Sequence, residues 1–378
     1  MNLRRTFFAL PLAVSVSIGL LWPSVAQARE LKVGVGLPPS SVGHYGMEVF
    51  AKTLKEKSGG EIEVKIFPLS LMNIPQMYGG IRDGVVDAGF FLPPVFPSEM
   101  PETQIAIDLA MLGTNAFAMA GAMTEYIYSC TECLAERLRA NHVYLGSAST
   151  GPYAILSTKK ISTVEELRGK KLRSAAAPWS RWASQFGAVA MNIGGNQIFE
   201  AVSQGTIDGT IQSTQELTAL RLGDVVKHVT LGVPSGTFHG IDNHNVNRTV
   251  WRSLSETQRR VVLQSAAVTS AALTIRYISE NAKALAEAQQ KGVQVHQASP
   301  DLKARTSAFI EADLAVVAQN AEKAYGVKNA AQKVSRFRQI LGKWEKLTPN
   351  REDWDMNALS DIYWREIFSK LDPKTYGM

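Results

Sequence analysis

Three short strand-like segments alternate with two helical segments near the start of the chain, and this order constrains the fold most. Residues 30–38 (ELKVGVGLP) and 61–68 (EIEVKIFP) alternate apolar and polar side chains, and residues 85–93 (VVDAGFFLP) predict a third strand. The helix predicted between the first two strands ends at Gly59–Gly60, and a second helix is predicted at 74–84. Strands joined through helices by short connections lie parallel in one sheet, so we predict an α/β fold.

A similar alternation returns between residues 141 and 247. Strands are predicted at 141–149, 152–160, 170–175, 227–233 and 241–247, a helix at 179–188, and a helix followed by a strand within 196–213. Two such units joined by several chain crossings predict a two-lobed clamshell. Ligands of open α/β sheets bind outside the carboxyl ends of the strands. We therefore expect Phe91, Arg173 and Gln212, which end predicted strands, at the cleft.

A helical pattern without proline extends from residue 254 to residue 292. Ser255 and Gln258 have the spacing of a capping box at its start. Such a helix would be roughly 55 Å long at 1.5 Å per residue, which exceeds one small domain. We predict that it braces both lobes and that further helices fill residues 300–376.

The first 28 residues have the pattern of a secretory signal. Arg4 and Arg5 precede an apolar stretch at 7–22, and the sequence AQA at 26–28 fits a cleavage site. The alternative is an uncleaved anchor, but the apolar stretch is short for a membrane span. The adjacent arginines leave ordinary and twin-arginine export both open. We expect a mature periplasmic protein that begins near Arg29.

Charge and composition exclude several classes of protein. Apolar residues make up 45% of the chain and charged residues 20%, as in an ordinary globular protein. Removal of two arginines with the signal lowers the net charge from +6 to +4. This mild charge, without a basic run that contains aromatic residues, argues against a nucleic-acid partner.

The two cysteines, Cys130 and Cys133, have C-x-x-C spacing. An even number of cysteines in an exported protein permits a disulfide. A redox motif would need its first cysteine at a helix N-terminus, but we expect this pair inside a helix that starts near Thr114. We therefore favour a structural pair or two unreactive thiols over redox chemistry or a metal site.

Arg173 is the leading candidate for ligand binding. A guanidinium carries a permanent charge and a planar set of donors that matches a carboxylate. Arg173 ends a predicted strand, small residues follow it, and Trp179 comes next as a candidate wall of the pocket. Trp182 and Phe186 are four residues apart on a predicted helix, and we expect Trp182 in the core.

The segment 237–245 combines aromatic, histidine and amide side chains. Phe238, His239 and Asn243 are candidates to line the cleft where the chain crosses between lobes. We predict no metal for His239 and His244, because only Asp242 offers a nearby carboxylate. The sequence contains no G-x-S-x-G, H-E-x-x-H or phosphate-binding glycine motif. This absence does not exclude catalysis, but no residue pattern argues for an enzyme or for a cofactor, and we expect neither.

Several segments resemble the solute-binding receptors of TRAP (tripartite ATP-independent periplasmic) transporters, of the DctP-like type. The helix, glycine pair and strand at 46–68 are similar to that family, and so are 79–91, 198–209 and 246–262. The most specific match is ISTVEELRGKKLR at 161–173, in which the arginine that binds the ligand carboxylate in the family corresponds to Arg173. Three features depart from the family pattern: Gln212 replaces an asparagine, Tyr153 or Pro152 lies near the place of a second arginine, and residues 68–76 replace a glycine-containing loop.

The resemblance implies a periplasmic-binding-protein clamshell that delivers a carboxylate to a small and a large membrane subunit driven by an ion gradient. With one arginine beside aromatic candidates, we favour a monocarboxylate with an apolar or aromatic body over a dicarboxylate. We expect a monomer. Lobe I is predicted to contain 29–150 and about 239–278, and lobe II 151–238 and about 279–378. An ABC-type or sensor-associated binding protein, or an exported enzyme on the same scaffold, remains an alternative.

Overall fold

The computed structural model describes residues 28–69, 71–174, 176–351 and 353–378, and only the backbone of Asn196. The predicted signal at 1–28 therefore lies almost entirely outside the described residues. In the first part of the chain the elements are β1 Arg29–Gly34, α1 Val42–Lys57, β2 Ile62–Phe67, α2 Ile74–Arg82, β3 Ala88–Phe91, α3 Pro101–Asp108, α4 Ala116–Tyr128, α5 Thr131–Arg139, β4 His142–Tyr144 and β5 Ser147–Ala148.

The middle and the end of the chain form the remaining elements. These are β6 Tyr153–Ser157, α6 Val164–Leu167, β7 Lys171–Ser174, α7 Ala177–Gln185, β8 Val189–Met191, α8 Ile198–Ser203, β9 Gly209–Ser213, α9 Glu216–Ala219, β10 His228–Leu231, β11 Ile241–Asn247, α10 Arg248–Ser253, α11 Glu256–Gln290, β12 Gln294–Gln297, α12 Pro300–Tyr325, α13 Ala330–Leu347 and α14 Met356–Glu366.

The strands form two separate mixed sheets. The first sheet has the order β2-β1-β3-β11-β4, with β5 also paired to β11, and the second has the order β12-β10-β6-β9-β7-β8. The predicted parallel arrangement holds for β2, β1 and β3. Strand β11 follows β10 in the chain but pairs antiparallel with β3 and β4 of the first sheet. The chain therefore crosses between the sheets more than once, as predicted.

Local sequence signals explain where several helices begin and end. Ser58 follows α1, and Gly59 and Gly60 have φ values of 61° and 85°, a region that favours glycine. The capping box predicted at Ser255 and Gln258 is present, and α11 begins at Glu256. These signals act within one turn of a helix, so the sequence alone was enough to place them.

Helix α11 has 35 residues and contacts both halves of the protein. It packs against α1, α4 and α14 on the side of the first sheet and against α9 beside the second sheet. Among the described residues it is the helix whose length and composition would suit a membrane span, but 67% of its most apolar stretch is buried inside the protein. Helix α11 is therefore a core helix of the protein, which agrees with the prediction that it braces both lobes.

The largest apolar core surrounds the first sheet and includes residues from the end of the chain. Val317, Phe337, Trp344 and Phe368 belong to this core, together with side chains of α1, α4 and α11. The second sheet has apolar clusters on its two faces. The division into lobes remains a prediction, but this packing argues that residues from about 317 onward belong with lobe I rather than with lobe II. Their apolar faces are covered by α4 and α11.

Cys130 and Cys133 form a disulfide. Both side chains are buried in the core of the first sheet. The expectation that they lie inside one helix was wrong, because α4 ends at Tyr128 and Cys130 is the N-cap of α5. The first cysteine therefore has the helix position of a redox motif, but burial keeps both sulfurs from solvent.

Candidate functional site

Three strands of the second sheet bring the leading candidates to one edge. Strands β7 and β9 run parallel, with Arg173 opposite Thr210, and β6 runs antiparallel to β9, with Tyr153 opposite Ser213. The ends of β7 and β9 and the start of β6 therefore lie at the same edge. Side chains alternate along a strand, so Gln212 lies on the same face of the sheet as Thr210 and Arg173.

Arg173 is a buried cation without an anionic partner among the described residues. It is 9% exposed, and its Nε donates a hydrogen bond to the backbone oxygen of Ile193 at 3.0 Å. Its Nη1 is buried and has no hydrogen-bond partner in the described part of the chain. Burial lowers the pKa of Arg173 from its ordinary value, and the negative charges of ionised Tyr153 and of Glu216 act in the opposite direction.

A buried charge without a partner is energetically costly. The cost falls when an anion supplies the missing acceptor, and a carboxylate matches the planar donor geometry of a guanidinium. The surroundings of Arg173 therefore fit a small anion.

Tyr153 and Trp179 form an aromatic stack at the same edge, and the pairing of Tyr153 with Ser213 puts Tyr153 on the opposite face of the sheet from Gln212 and Arg173. Their rings are stacked, with centroids 4.2 Å apart and an interplanar angle of 21°. The indole Nε1 of Trp179 donates to the backbone oxygen of Ser235 at 2.9 Å, and the side chain is fully buried. Trp179 is therefore fixed in position and packs against one face of the Tyr153 ring. Burial raises the pKa of Tyr153, and the positive charge of Arg173 opposes that rise.

Glu216 is a member of this cluster that the sequence analysis missed. It begins α9, directly after the end of β9, and its Oε1 accepts a hydrogen bond from Nε2 of Gln215 at 3.1 Å. Burial raises the pKa of Glu216, while the hydrogen bond from Gln215 and the charge of Arg173 lower it. The available sequence signal was its position three residues after the end of β9, the strand that carries Gln212.

Helix α11 reaches the same region. Burial raises the pKa of Tyr277, and the charge of Glu216 adds to the rise. Asn281 accepts a hydrogen bond from the backbone nitrogen of Gln215 through Oδ1 at 2.8 Å, and its backbone oxygen accepts one from Oγ1 of Thr214 at 3.0 Å. The long helix thereby fixes the segment that carries Glu216.

Phe238 lies where two chain crossings run side by side. Its backbone nitrogen donates to Oγ1 of Thr150 at 3.1 Å, and the backbone nitrogen of Thr150 donates to the oxygen of Phe238 at 2.9 Å. The partly buried ring packs against the core of the first sheet and against a cluster on the second. This position at the junction of the lobes is compatible with the predicted role of Phe238 in the cleft.

Three other predicted residues have contacts only within the packing of the first sheet. Both ring nitrogens of His239 are bonded to backbone oxygens, those of Thr237 and Ala106, and its ring packs near Phe337. Asn243 donates through Nδ2 to Oγ of Ser270 on α11.

Phe91 stacks on Phe96 at 5.2 Å in a separate apolar cluster. The contacts of Phe91, His239 and Asn243 therefore do not support the prediction that they line the cleft. All three are fully buried. Phe91 and Asn243 lie on β3 and β11, which are interior strands of the first sheet, and His239 lies two residues before β11.

An open groove of about 810 Å³ lies elsewhere, between α7 and α12, where Phe186, Phe309 and Arg305 contribute to its walls. Asp313, which lines this groove, is already paired, since Nε and Nη2 of Arg181 each donate a hydrogen bond of 2.7 Å to its carboxylate. Arg173 offers an unpaired buried charge and this groove does not. We therefore place the candidate site at Arg173.

Comparison with known proteins identifies relatives of similar architecture. The family described as "Bacterial extracellular solute-binding protein, family 7" matches residues 33–323, which is well over half of the chain. A curated relative from Albidiferax ferrireducens, named a solute-binding protein, is 21% identical over 248 residues, covering 63% of this chain and 71% of its own length.

Solved structures of TRAP solute-binding proteins have the same fold. One from a marine metagenome, described as specific for aromatic acid ligands and in complex with metahydroxyphenylacetate, has a TM-score of 0.74 at 21% identity, covering 84% of this chain and 99% of that one. Another, from Rhodoferax ferrireducens and in complex with copurified benzoate, has a TM-score of 0.72 at 20% identity, covering 84% of this chain and 99% of that one.

Proposed function

We propose that this chain, which belongs to the bacterial extracellular solute-binding proteins of family 7, the receptors of TRAP transporters, holds a small organic monocarboxylate between its lobes and delivers it to the membrane subunits of such a transporter. Proteins of this family are substrate-binding receptors and not enzymes. The membrane partners, the coupling ion gradient and the periplasmic location belong to the proposal.

The unpaired Nη1 of Arg173 carries this proposal. A carboxylate placed against it would form a charge-assisted hydrogen bond in surroundings from which water is largely excluded. Closure of the lobes around the ligand would exclude the remaining water. Tyr153 lies at the edge of the second sheet and Phe238 at the chain crossings, where the closing lobes would cover the ligand. Gln212 would offer its amide on the same face as Arg173.

The neighbours of Arg173 favour an acid with one carboxylate and an aromatic or apolar body. Pockets for small ligands are mostly apolar, with a few convergent polar groups, and the Tyr153–Trp179 stack supplies a flat surface of that kind. Glu216 would repel a second carboxylate near Arg173. Structures of the same fold are described in complex with aromatic acids or benzoate, and others with D-glucuronate or β-D-galacturonate, so the preference rests on the neighbours of Arg173.

The first test is a thermal-shift screen of the mature protein, unfolded and refolded beforehand to remove bound ligand. We expect aromatic monocarboxylates such as benzoate and 3-hydroxyphenylacetate to raise the melting temperature, because a ligand that binds only the folded state stabilises it. Succinate and glucuronate should raise it less. A larger shift with succinate would contradict the preference for a monocarboxylate, and the absence of a shift with every acid would contradict the carboxylate site.

Titration calorimetry with the best ligand then tests Arg173 itself. Removal of one partner of a buried charged pair costs about 2–5 kcal/mol, so Arg173→Gln should weaken binding by roughly 30-fold or more. Arg168→Gln is a matched control, because Arg168 precedes the same strand and is exposed. Equal affinities of the Arg173→Gln variant and the wild type would show that the site lies elsewhere.

A further inference from the structure

Asn281 on α11 lies between two segments that are far apart in the chain. Its Oδ1 accepts a hydrogen bond from the backbone nitrogen of Gln215 at 2.8 Å, and its backbone oxygen accepts one from Oγ1 of Thr214 at 3.0 Å. On its other side, Nδ2 of Asn281 packs against the backbone at Gly151. The residue is 9% exposed, so it fills the space between these two segments.

Gly151 belongs to a crossing between the two sheets. Strand β5 lies in the first sheet and β6 in the second, and residues 149–152 join them. Helix α11 runs along this crossing, because Oγ1 of Thr274 accepts a hydrogen bond from the backbone nitrogen of Ser149 at 3.4 Å. Thr274 and Asn281 are about two helical turns apart and therefore share a face of α11. The crossing lies against this face.

The contact with Asn281 requires glycine at position 151. A Cβ at this position would overlap Nδ2 of Asn281 and lie 2.9 Å from its Cγ, closer than the 3.0 Å that real Cβ atoms keep from other heavy atoms. The φ angle of Gly151 lies outside the positive range that favours glycine. Alanine is therefore excluded at this position by lack of space and not by the backbone conformation.

The segment on the other side of Asn281, residues 214–215, adjoins the candidate site. This segment directly follows β9, and β9 carries Gln212 on the same face of the sheet as Arg173. The two hydrogen bonds to Asn281 hold the end of β9 against α11. A displacement of Asn281 would therefore move the end of β9, and with it the amide of Gln212, relative to Arg173.

We propose that Asn281 is a positioning residue that links the crossing between the lobes to the ligand site. This role rests on the proposed function, because it requires a ligand at Arg173 and lobes that close around it. Closure bends the 149–152 crossing, and the bend displaces the Asn281 amide because closely packed atoms leave it no free space at Gly151. The amide in turn moves the end of β9 through its hydrogen bond with Gln215. Asn281 thereby adjusts the ligand site without contacting the ligand.

Hydrogen exchange followed by mass spectrometry tests the link in the protein without ligand. In the wild type, the hydrogen bond to Asn281 protects the backbone amide of Gln215 from exchange. Gly151→Ala adds a Cβ that displaces the Asn281 side chain, so the Gln215 amide should exchange roughly tenfold faster or more. Peptides from β1 and β2 should exchange as in the wild type, which distinguishes this effect from a general loss of stability.

Calorimetry with benzoate tests the consequence for the ligand site. Gly151→Ala should weaken benzoate binding by roughly tenfold or more, because the effects of residues in contact are coupled. In the Asn281→Ala background the overlapping side chain is absent, so adding Gly151→Ala should change the affinity by less than about twofold. The same double variant should fold even if Gly151→Ala alone does not. Gly342→Ala on α13 is the control, because a Cβ there would meet no described side chain within 4 Å beyond its chain neighbours.

The possible results distinguish a failure of the link from a failure of the proposed function. Equal exchange at Gln215 in Gly151→Ala and the wild type would overturn the link, and so would equal effects of Gly151→Ala on benzoate affinity with and without the Asn281 side chain. A double variant that does not fold would also overturn it, because another contact would then exclude a Cβ at position 151. A wild type that bound neither benzoate nor any other acid would overturn the proposed function, and with it the role of Asn281 in ligand binding.

Discussion

The ring of Tyr153 stacks on the indole of Trp179, with centroids 4.2 Å apart, next to the buried guanidinium of Arg173. Tyr153 comes from the first position of β6, and Trp179 from the first turn of α7. Their contact joins two elements that would flank a ligand held by Arg173. The ring and the hydroxyl of Tyr153 therefore have different surroundings. The ring packs on Trp179, whereas the hydroxyl forms no hydrogen bond with another described residue.

Tyr153→Phe tests the role of this hydroxyl. The variant keeps the stacked ring, so its melting temperature without ligand should stay close to that of the wild type. If the hydroxyl donates to the ligand carboxylate, loss of one hydrogen bond of about 0.5–1.5 kcal/mol weakens binding roughly 2- to 10-fold. Calorimetry with the ligand found in the screen measures this change. Unchanged affinity would assign Tyr153 a packing role alone.

Glu216→Gln tests the pH dependence of ligand binding. A carboxylate ligand and an ionised Glu216 repel each other, and protonation of Glu216 removes the repulsion. Because burial raises the pKa of Glu216, affinity should increase as the pH falls toward that raised pKa. The increase should already be present at pH values above the ordinary pKa of a glutamate, about 4.3, because the raised pKa lies above it.

In the Glu216→Gln variant this pH dependence should disappear, and binding at pH 8 should be tighter than in the wild type. Glu200→Gln is the control, because Glu200 is an exposed acid of the same lobe on α8. A pH profile of Glu216→Gln identical to that of the wild type would show that Glu216 does not interact with the ligand.

Arg137→Met tests the buried ion pair beneath the first sheet. Nη2 of Arg137 lies 2.9 Å from Oδ2 of Asp242, and the two side chains are 1% and 0% exposed. Removal of one partner leaves an uncompensated buried charge, so the free energy of unfolding should fall by about 3–5 kcal/mol. Arg137→Met combined with Asp242→Asn should recover part of that loss, because the remaining charge is then removed as well.

The control for this experiment is the exposed pair of Arg338 and Glu311, whose side chains are 53% and 56% exposed. Arg338→Met should change the free energy of unfolding by less than about 1 kcal/mol. Urea unfolding measures all of these variants. Equal effects of Arg137→Met and Arg338→Met would contradict the burial of the Arg137–Asp242 pair.

Replacement of Cys130 and Cys133 by alanine tests the disulfide. The bond closes a very short loop, for which the chain-entropy relation gives about 2 kcal/mol of stabilisation. The double variant should therefore unfold at a temperature lower by a few degrees, and its ligand affinity should stay unchanged, because the cysteines lie in the core of the first sheet. If the double variant folded fully but lost much of its ligand affinity, the disulfide would instead be coupled to ligand binding in the cleft.

The sequence by itself determined the elements whose signals are local. The strand–helix alternation, the capping box at Ser255 and Gln258, and the placement of Arg173 at the end of a strand depend on side chains a few residues apart. A strand end in a parallel sheet also has a known direction relative to the ligand side. That direction, together with the resemblance of residues 161–173 to the family, is why Arg173 was predicted to contact the ligand, and this role stays a prediction.

Only the tertiary structure decided which distant residues meet. Glu216 joins Arg173 because β9 lies beside β7, and His228 meets His296 because β12 pairs with β10. Phe91 follows a predicted strand as Arg173 does, yet it is buried in an apolar cluster. The physical reason is the same in each case: strand order, register and the covering of each face are set by packing across the whole chain, and a local pattern of residues contains no information about them.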